Sequence, residues 1–146
     1  MYNEKSNPTV IIEQALHIIR GKNKYQRLVV GVDPGKDFGM AVVGDGVVLQ
    51  TERTSSGEEA AIWIFNVIKH YESKLKTVKI GNGADIYRDE MIGTLDKILP
   101  SKIKLESVEE SGTTKSIDVS SRSSKDTSSA IKIAMRRGHK ITRKIE

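Results

Sequence analysis

The chain has 146 residues, which fits one domain with a single hydrophobic core and excludes two full lobes. It contains no cysteine, which excludes disulfides and thiolate metal sites and suits an intracellular protein. No segment has the ~18 to 20 apolar residues that cross a bilayer, and the polar first residues are unlike a signal peptide, so we expect a soluble, cytoplasmic protein.

The net charge of +5 is concentrated near the C-terminus. Residues 132–146 carry six Lys and Arg side chains against one glutamate, so the rest of the chain is neutral overall. A basic segment on a neutral body is typical of a protein that binds a polyanion, and nucleic acid is the usual one. The alternative is a solvated segment that only keeps the chain soluble.

The first predicted element is an amphipathic helix within residues 1–26, because apolar residues recur there at helical spacing. Three strands follow at 28–33, 39–43 and 47–51. The segment Gly44-Asp45-Gly46 between the last two strands is a strong hairpin signal. These residues therefore predict an antiparallel three-strand meander.

Helices and strands alternate after the meander. A capping box at Ser56 and Glu59 predicts the start of a helix, and apolar spacing continues it to about residue 75. A short strand at 78–80, a second helix and a fifth strand at 103–108 come next. The expected fold is α/β, with a mixed five-stranded sheet that has parallel strands after the meander and helices on both faces.

Residues 111–125 are rich in serine and too polar to bury themselves, which predicts a mobile loop. A last helix is expected after this loop. The predicted organisation is an N-terminal helix and linker at 1–26, a domain at 27–138 and a basic C-terminal tail at 139–146.

Three acidic positions stand at the ends of predicted elements, although they are far apart in the sequence. Asp33 ends the first strand, Glu110 follows the fifth strand and Asp126 opens the last helix. Two alanines share a helix face with Asp126, so this helix can approach the sheet closely and carry Asp126 towards Asp33. Glu109 replaces Glu110 if the strand register differs by one residue.

Carboxylates gathered at one spot repel each other unless a cation neutralises them. Oxygen ligands without cysteine or suitably spaced histidines favour Mg²⁺ or Mn²⁺ over zinc. Two such ions roughly 3.5 to 4 Å apart activate a water and stabilise the leaving oxygen in phosphodiester hydrolysis. The alternative is that each acid has only a local role, as a turn cap, a solvated side chain or a helix N-terminal charge.

Three motifs resemble those of one known superfamily. Gly31-Val-Asp33-Pro-Gly35-x-x-x-Gly39-x-Ala41 resembles the opening of the RuvC and YqgF branch of the RNase H-like superfamily, whose first strand supplies an essential aspartate. Glu109-Glu110-Ser-Gly-Thr113-Thr114 is similar to the Asp-Glu-Arg-Leu-Thr-Thr stretch of YqgF-type proteins. Asp126-Thr-Ser-Ser-Ala130-Ile-Lys-Ile-Ala134 is similar to the helix that carries the last acid of RuvC-type resolvases.

The resemblance covers about residues 27–137 and departs from the family at two positions. Ser129 stands where resolvases have a second aspartate, and Ser111 stands where YqgF-type proteins have an arginine. The resemblance implies an RNase H-like fold and metal-dependent cleavage of structured nucleic acid, either Holliday junctions or ribosomal RNA precursors. It also implies a homodimer, because resolvases of this superfamily act as dimers.

Asp33, Glu110 and Asp126 are therefore the predicted catalytic and metal-binding residues, with Glu109 as the alternate. One alternative function is a non-catalytic nucleic-acid-binding module with the same fold. Another is a nucleotide phosphotransferase, although that fold needs two lobes and this chain has room for one.

Several polar side chains are predicted to contact nucleic acid. Those before Asp126 belong to loops and a helix end near the acids, which often carry recognition, and those after it belong to the basic C-terminal segment. These side chains are Lys36, Asn82, Lys115, Arg122, Lys125, Arg136, Arg137, Lys140, Arg143 and Lys144.

Overall fold

The computed structural model describes residues 24–83, 85–109 and 125–144, with only the main chain of Asp85, Lys125 and Asp126. The predicted N-terminal helix and most of the serine-rich loop lie outside these ranges. Within them, no helix is long and apolar enough to cross a membrane.

In the described part of the chain, six strands form one mixed sheet. They are β1 (Tyr25–Asp33), β2 (Phe38–Gly44), β3 (Val47–Thr54), β4 (Ser73–Gly81), β5 (Lys104–Val108) and β6 (His139–Ile141), in the spatial order β3-β2-β1-β4-β5-β6. The first three strands are antiparallel, β4 is parallel to β1, and β5 is parallel to β4. The predicted α/β class, the meander and the parallel portion are confirmed.

The predicted number of five strands is wrong. His139–Ile141, in the segment predicted as a basic tail, pair antiparallel with β5 as a sixth strand, and Ile141 packs against the core. A three-residue strand with one apolar side chain has too little periodicity to stand out in the sequence. The open edge of β5 supplies the backbone partners that make it a strand.

Among the described residues, three helices connect the strands: α1 (Gly57–His70), α2 (Asp85–Ile98) and α3 (Lys125–Met135). The predicted helix start at Ser56 is confirmed, since Ser56 is the N-cap and the Glu59 main-chain N–H donates to its Oγ at 3.2 Å. The prediction that this helix reaches residue 75 is wrong, because α1 ends at His70 and Tyr71 is extended. From Ser73 the chain pairs with β1, and that pairing overrides the helical spacing.

Alternate residues of β1 belong to two separate apolar clusters. Leu28, Val30 and Val32 are fully buried in the larger cluster, which includes residues of α1 and α2. Val29 belongs to a smaller cluster with Val43 and with Ala134 of α3. This alternation of period two is what a strand with two covered surfaces requires.

The hairpin between β2 and β3 turns on two residues with positive φ, Asp45 at 47° and Gly46 at 85°. This is the backbone that a tight two-residue hairpin requires, as the Gly44-Asp45-Gly46 signal predicts. The Asp45 carboxylate also accepts hydrogen bonds from the main-chain N–H groups of Gln26 and Arg27, so the turn is tied to the start of β1.

Candidate functional site

Asp33 is the last residue of β1, a central strand of the sheet. Its partner on β2 is Gly39, and on the other side Gly81 ends β4 one residue after Ile80, the partner of Val32. The residues beside Asp33 on the two adjacent strands are therefore glycines. The Asp33 side chain is half-buried.

Helix α3 crosses β1 at Gly31 with no space for a side chain between them. A Cβ on Gly31 would collide with the carbonyl oxygen of Ala130 and would lie 2.8 Å from the Cβ of Ala134. Both alanines are buried. The close approach predicted from the small residues of this helix is therefore observed, and Gly31 is the residue of the sheet that permits it.

The direction of α3 follows from its contacts with β1. Ala134 clusters with Val29 and Ala130 lies on Gly31, so the helix N-terminus points towards the end of β1 that carries Asp33. Ala134 also clusters with Val43 of β2, so α3 packs on both strands and its start is directed towards this end of the β1-β2 pair.

The end of β5 lies two strands away from Asp33. The main-chain N–H of Asn82 donates to the carbonyl oxygen of Val108 at 3.0 Å, which joins the ends of β4 and β5. Glu109 follows β5 and is exposed, and its carbonyl oxygen accepts a hydrogen bond from Arg136 Nη1 at 2.7 Å.

Two of the three predicted carboxylates lie beyond what the structure describes. Glu110 is outside the described residues, and of Asp126 only the main chain is described. Among the described side chains, no group of three or more His, Asp or Glu residues is close enough to hold a metal ion. Of these three carboxylates, only that of Asp33 has a described position, while the alternate Glu109 is described and exposed.

The polar residues predicted near the acids differ in how much is described. Lys36 is exposed in the turn directly after Asp33, and Asn82 is exposed at the end of β4. Lys115 and Arg122 lie outside the described residues, as does the side chain of Lys125.

The C-terminal cations divide into two groups. Arg136, Arg137, Lys140 and Lys144 are exposed. Arg143, in contrast, is largely buried. Its side chain and that of Asp96 are each 11% exposed, and the two meet in an ion pair at 2.5 Å.

The guanidinium of Arg143 is fully occupied by the C-terminal end of α2. Besides the Asp96 carboxylate, its N–H groups donate to the main-chain carbonyl oxygens of Asp96, Leu99, Pro100 and Ile103. These five hydrogen bonds use all five N–H donors of an arginine side chain. None remains for a phosphate, so we leave Arg143 out of the proposed interface.

The structure also gathers cations that the sequence patterns do not single out. An open groove, here called the basic groove, lies between the C-terminal end of α3 and the adjoining part of the sheet. Arg27 of β1, Lys79 of β4 and Lys104 of β5 line it together with Arg136 and Arg137. In the sequence, each of these strand cations is a single basic residue on one side of its strand. No local motif connects the cation of one strand to those of the other strands.

Comparison with protein-family models gives no match, and comparison with curated proteins gives no significant match. The likeness to RuvC and YqgF proteins therefore rests on the residues and motifs of this chain alone.

Proposed function

We propose that this protein is a divalent-metal-dependent nuclease with an RNase H-like fold of the RuvC and YqgF type, acting on structured nucleic acid. The observation that carries the proposal is the crossing of α3 over Gly31, which directs the start of that helix towards the Asp33 end of β1. Asp33 stands at the end of β1 and Asp126 at the start of α3. A shared metal site requires an acid at each of these positions.

The sheet plan supports the same proposal. An antiparallel meander followed by parallel strands, with the acid at the end of the first strand, is the arrangement that the superfamily resemblance implies. The separate apolar clusters on the two sides of β1 fit a sheet with helices on both faces. A homodimer remains part of the proposal on the strength of the resemblance alone.

The residues proposed as ligands are Asp33, Glu110 and Asp126, with Glu109 as the alternate to Glu110. Their oxygen donors suit Mg²⁺ or Mn²⁺, which prefer carboxylates and water. Such ions, when bound, supply an activated water and stabilise the leaving oxygen of a phosphodiester.

The protein's own residues would place the scissile phosphate at the strand ends. Gly39 and Gly81, which lie beside Asp33 on the adjacent strands, add no side chain of their own next to its carboxylate. Lys36, exposed one turn after Asp33, is positioned to contact a neighbouring phosphate as a point charge.

The direct test is cleavage of branched DNA and structured RNA by the purified protein with Mg²⁺ or Mn²⁺. Asp33→Asn should reduce cleavage to the level of a no-enzyme control, because an amide cannot bridge two cations as a carboxylate does. Asp37→Asn is the matched control, since Asp37 is an exposed acid four positions away in the same loop region. Cleavage by Asp33→Asn at the rate of the parent protein would refute the assignment.

A non-catalytic nucleic-acid-binding module is the second candidate, and two observations favour it. Ser129 of α3 occupies the position of the second aspartate in resolvases, and the basic groove concentrates cations away from Asp33. This candidate predicts salt-sensitive binding of nucleic acid without metal-dependent cleavage. The same assay on the parent protein decides between the two.

A further inference from the structure

The basic groove is lined by more positively charged side chains than the packing of the fold requires. It holds about 390 Å³ on the side of the sheet where α3 crosses Gly31, with the strands β1, β4 and β5 as its floor. Among the described residues, five cations line it and Glu106 is the single carboxylate. The cations are Arg27, Lys79, Lys104, Arg136 and Arg137.

Some of these cations have structural partners at the end of α3. Lys79 Nζ donates to the carbonyl oxygen of Arg136 at 2.5 Å, and Arg136 itself donates to the carbonyl oxygen of Glu109. Positive side chains near a helix C-terminus are stabilised by the helix dipole. Lys79 and Arg136 are therefore partly explained by the packing of α3.

Arg27 and Lys104 are not explained in this way. They lie on different strands towards the other end of the groove, and both are exposed. In the parts of the chain that the structure describes, neither side chain has an ion-pair or hydrogen-bond partner. Two cations from separate strands thus face the same groove, and no described anion forms an ion pair with either of them.

The described side chains that line the groove carry a net positive charge, because five cations face one carboxylate. Partial burial is the main cause that lowers the pKa of Lys79; the carboxylate of Glu106 raises it, and the positive charge of Arg27 lowers it to a smaller extent. Lys79 and Arg27 therefore repel each other across the groove. An anion bound between them would reduce this repulsion.

We propose that the basic groove binds the phosphate backbone of a nucleic-acid duplex, with Arg27 and Lys104 as phosphate contacts. The proposal rests on the proposed function for the identity of the polyanion. Leu75 and Met135 line the same groove and are exposed, so apolar surface lies next to the cations. A sugar-phosphate backbone presents the matching alternation of charged oxygens and apolar sugar edges.

The spacing along β1 relates this contact to the proposed cleavage site. Arg27 and Asp33 are six residues apart on one strand, a distance of about 20 Å. Helix α3 lies on Gly31 between these two positions, so no straight path along β1 joins the groove to the proposed cleavage site. The exposed Arg136 and Arg137 line the groove where the chain passes from α3 to β6.

The test is a binding measurement in EDTA, where metal-dependent cleavage does not occur. Fluorescence anisotropy would follow binding of labelled DNA and RNA duplexes of about 20 base pairs between about 50 and 200 mM salt. The double variant Arg27→Ala/Lys104→Ala should bind roughly tenfold more weakly than the parent. Its plot of log K against log salt should be shallower by about 1.8, because two phosphate contacts are lost. The duplex that shows these changes identifies the nucleic acid.

The control is Lys69→Ala/Lys97→Ala, which removes the same charge from exposed positions on α1 and α2. Its affinity and salt slope should stay close to those of the parent. Equal losses in both double variants, or no loss in Arg27→Ala/Lys104→Ala, would overturn the groove as a docking site. Circular dichroism melting of each variant verifies folding, and Lys104→Gln provides a milder single substitution with half the expected change in slope.

The two proposals fail separately. If the groove variants weaken binding as expected but the parent protein never cleaves, the groove stands and the nuclease assignment fails. If the parent cleaves and Asp33→Asn does not, while Arg27→Ala/Lys104→Ala binds like the parent, the nuclease stands and the groove fails.

Discussion

At the scale of single residues, Gly31 decides whether α3 can reach the sheet. Its missing side chain leaves room for the main chain of Ala130 and the methyl group of Ala134. Any larger residue must push the helix away from β1 or shift the strand. The proposed site depends on this position, because the same crossing directs the start of α3 towards Asp33.

Gly31→Ala should lower the free energy of unfolding by about 2 to 3 kcal/mol, since the added methyl overlaps a backbone carbonyl that cannot move independently. Urea unfolding of the parent and the variant measures the change. Gly93→Ala is the matched control, because a Cβ there meets nothing within 4 Å and Gly93 lies inside α2. The control should gain up to about 1 kcal/mol from helix propensity. A Gly31→Ala protein as stable as the parent would contradict the close crossing.

At the scale of elements, Arg143 links the end of the chain to α2. A helix leaves its last carbonyl groups without intrahelical partners, and Arg143 donates to several oxygens at and just beyond the C-terminal end of α2. The main-chain N–H of Lys144 adds a hydrogen bond to the Asp96 carboxylate. The segment predicted as a tail for nucleic acid thus contributes a strand and a helix cap.

Arg143→Ala should lower the free energy of unfolding by ~3 kcal/mol, because it leaves a mostly buried Asp96 carboxylate without its ion-pair partner. Arg143→Lys should recover little of this, since an ammonium cannot reproduce the planar fork of five donors. Lys144→Ala removes the same charge but keeps the main-chain hydrogen bond, and it should change stability by less than about 0.5 kcal/mol. Thermal and urea unfolding provide the measurement, and equal effects of the two alanine variants would rule out the cap.

At the scale of the whole molecule, β1 organises the sheet. It pairs antiparallel with β2 and parallel with β4, and its residues enter both apolar clusters. The two edges are β3 and the three-residue β6. Backbone hydrogen bonds in the middle of the sheet can open only when much of the core opens with them.

Hydrogen exchange should therefore be slowest in β1 and β4 and fastest, among the strands, in β6. Mass spectrometry of peptides that cover each strand measures this order under native conditions. Protection of β6 equal to that of β1 would show that the sixth strand is not a weakly held edge. Arg143→Ala should accelerate exchange in β6 further, because it loosens the segment that follows this strand.

Much of the fold could be predicted because its signals are local. The meander follows from three apolar runs and a hairpin turn, and the start of α1 follows from a capping box. The wrong predictions concern elements decided by distant partners. Helix α1 ends earlier than its apolar spacing predicts, because the following residues pair with β1 as β4. Strand β6 forms because the edge of β5 is open to it.

The candidate site could be predicted in part for the same reason. The residues next to Asp33 in the sequence are enough to predict that it lies at a strand end. The residues that surround it in the fold come from segments far along the chain, which local patterns do not reveal. Glu110 and the side chain of Asp126 lie outside what the structure describes, so their roles stay predictions. Arg27 and Lys104 have no shared motif, and only the parallel order of β1, β4 and β5 brings them to one groove.

The sequence by itself determined the α/β class, the strand-acid-turn at Asp33 and the small residues that allow α3 to approach. These depend on turn chemistry and side-chain periodicity, which act over a few residues. Only the tertiary structure decided that Gly31 receives α3, that Arg143 caps α2 and that strand cations line a groove. Periodicity tells which side of a strand a residue faces, but the choice of neighbouring strand depends on the packing of the complete sheet.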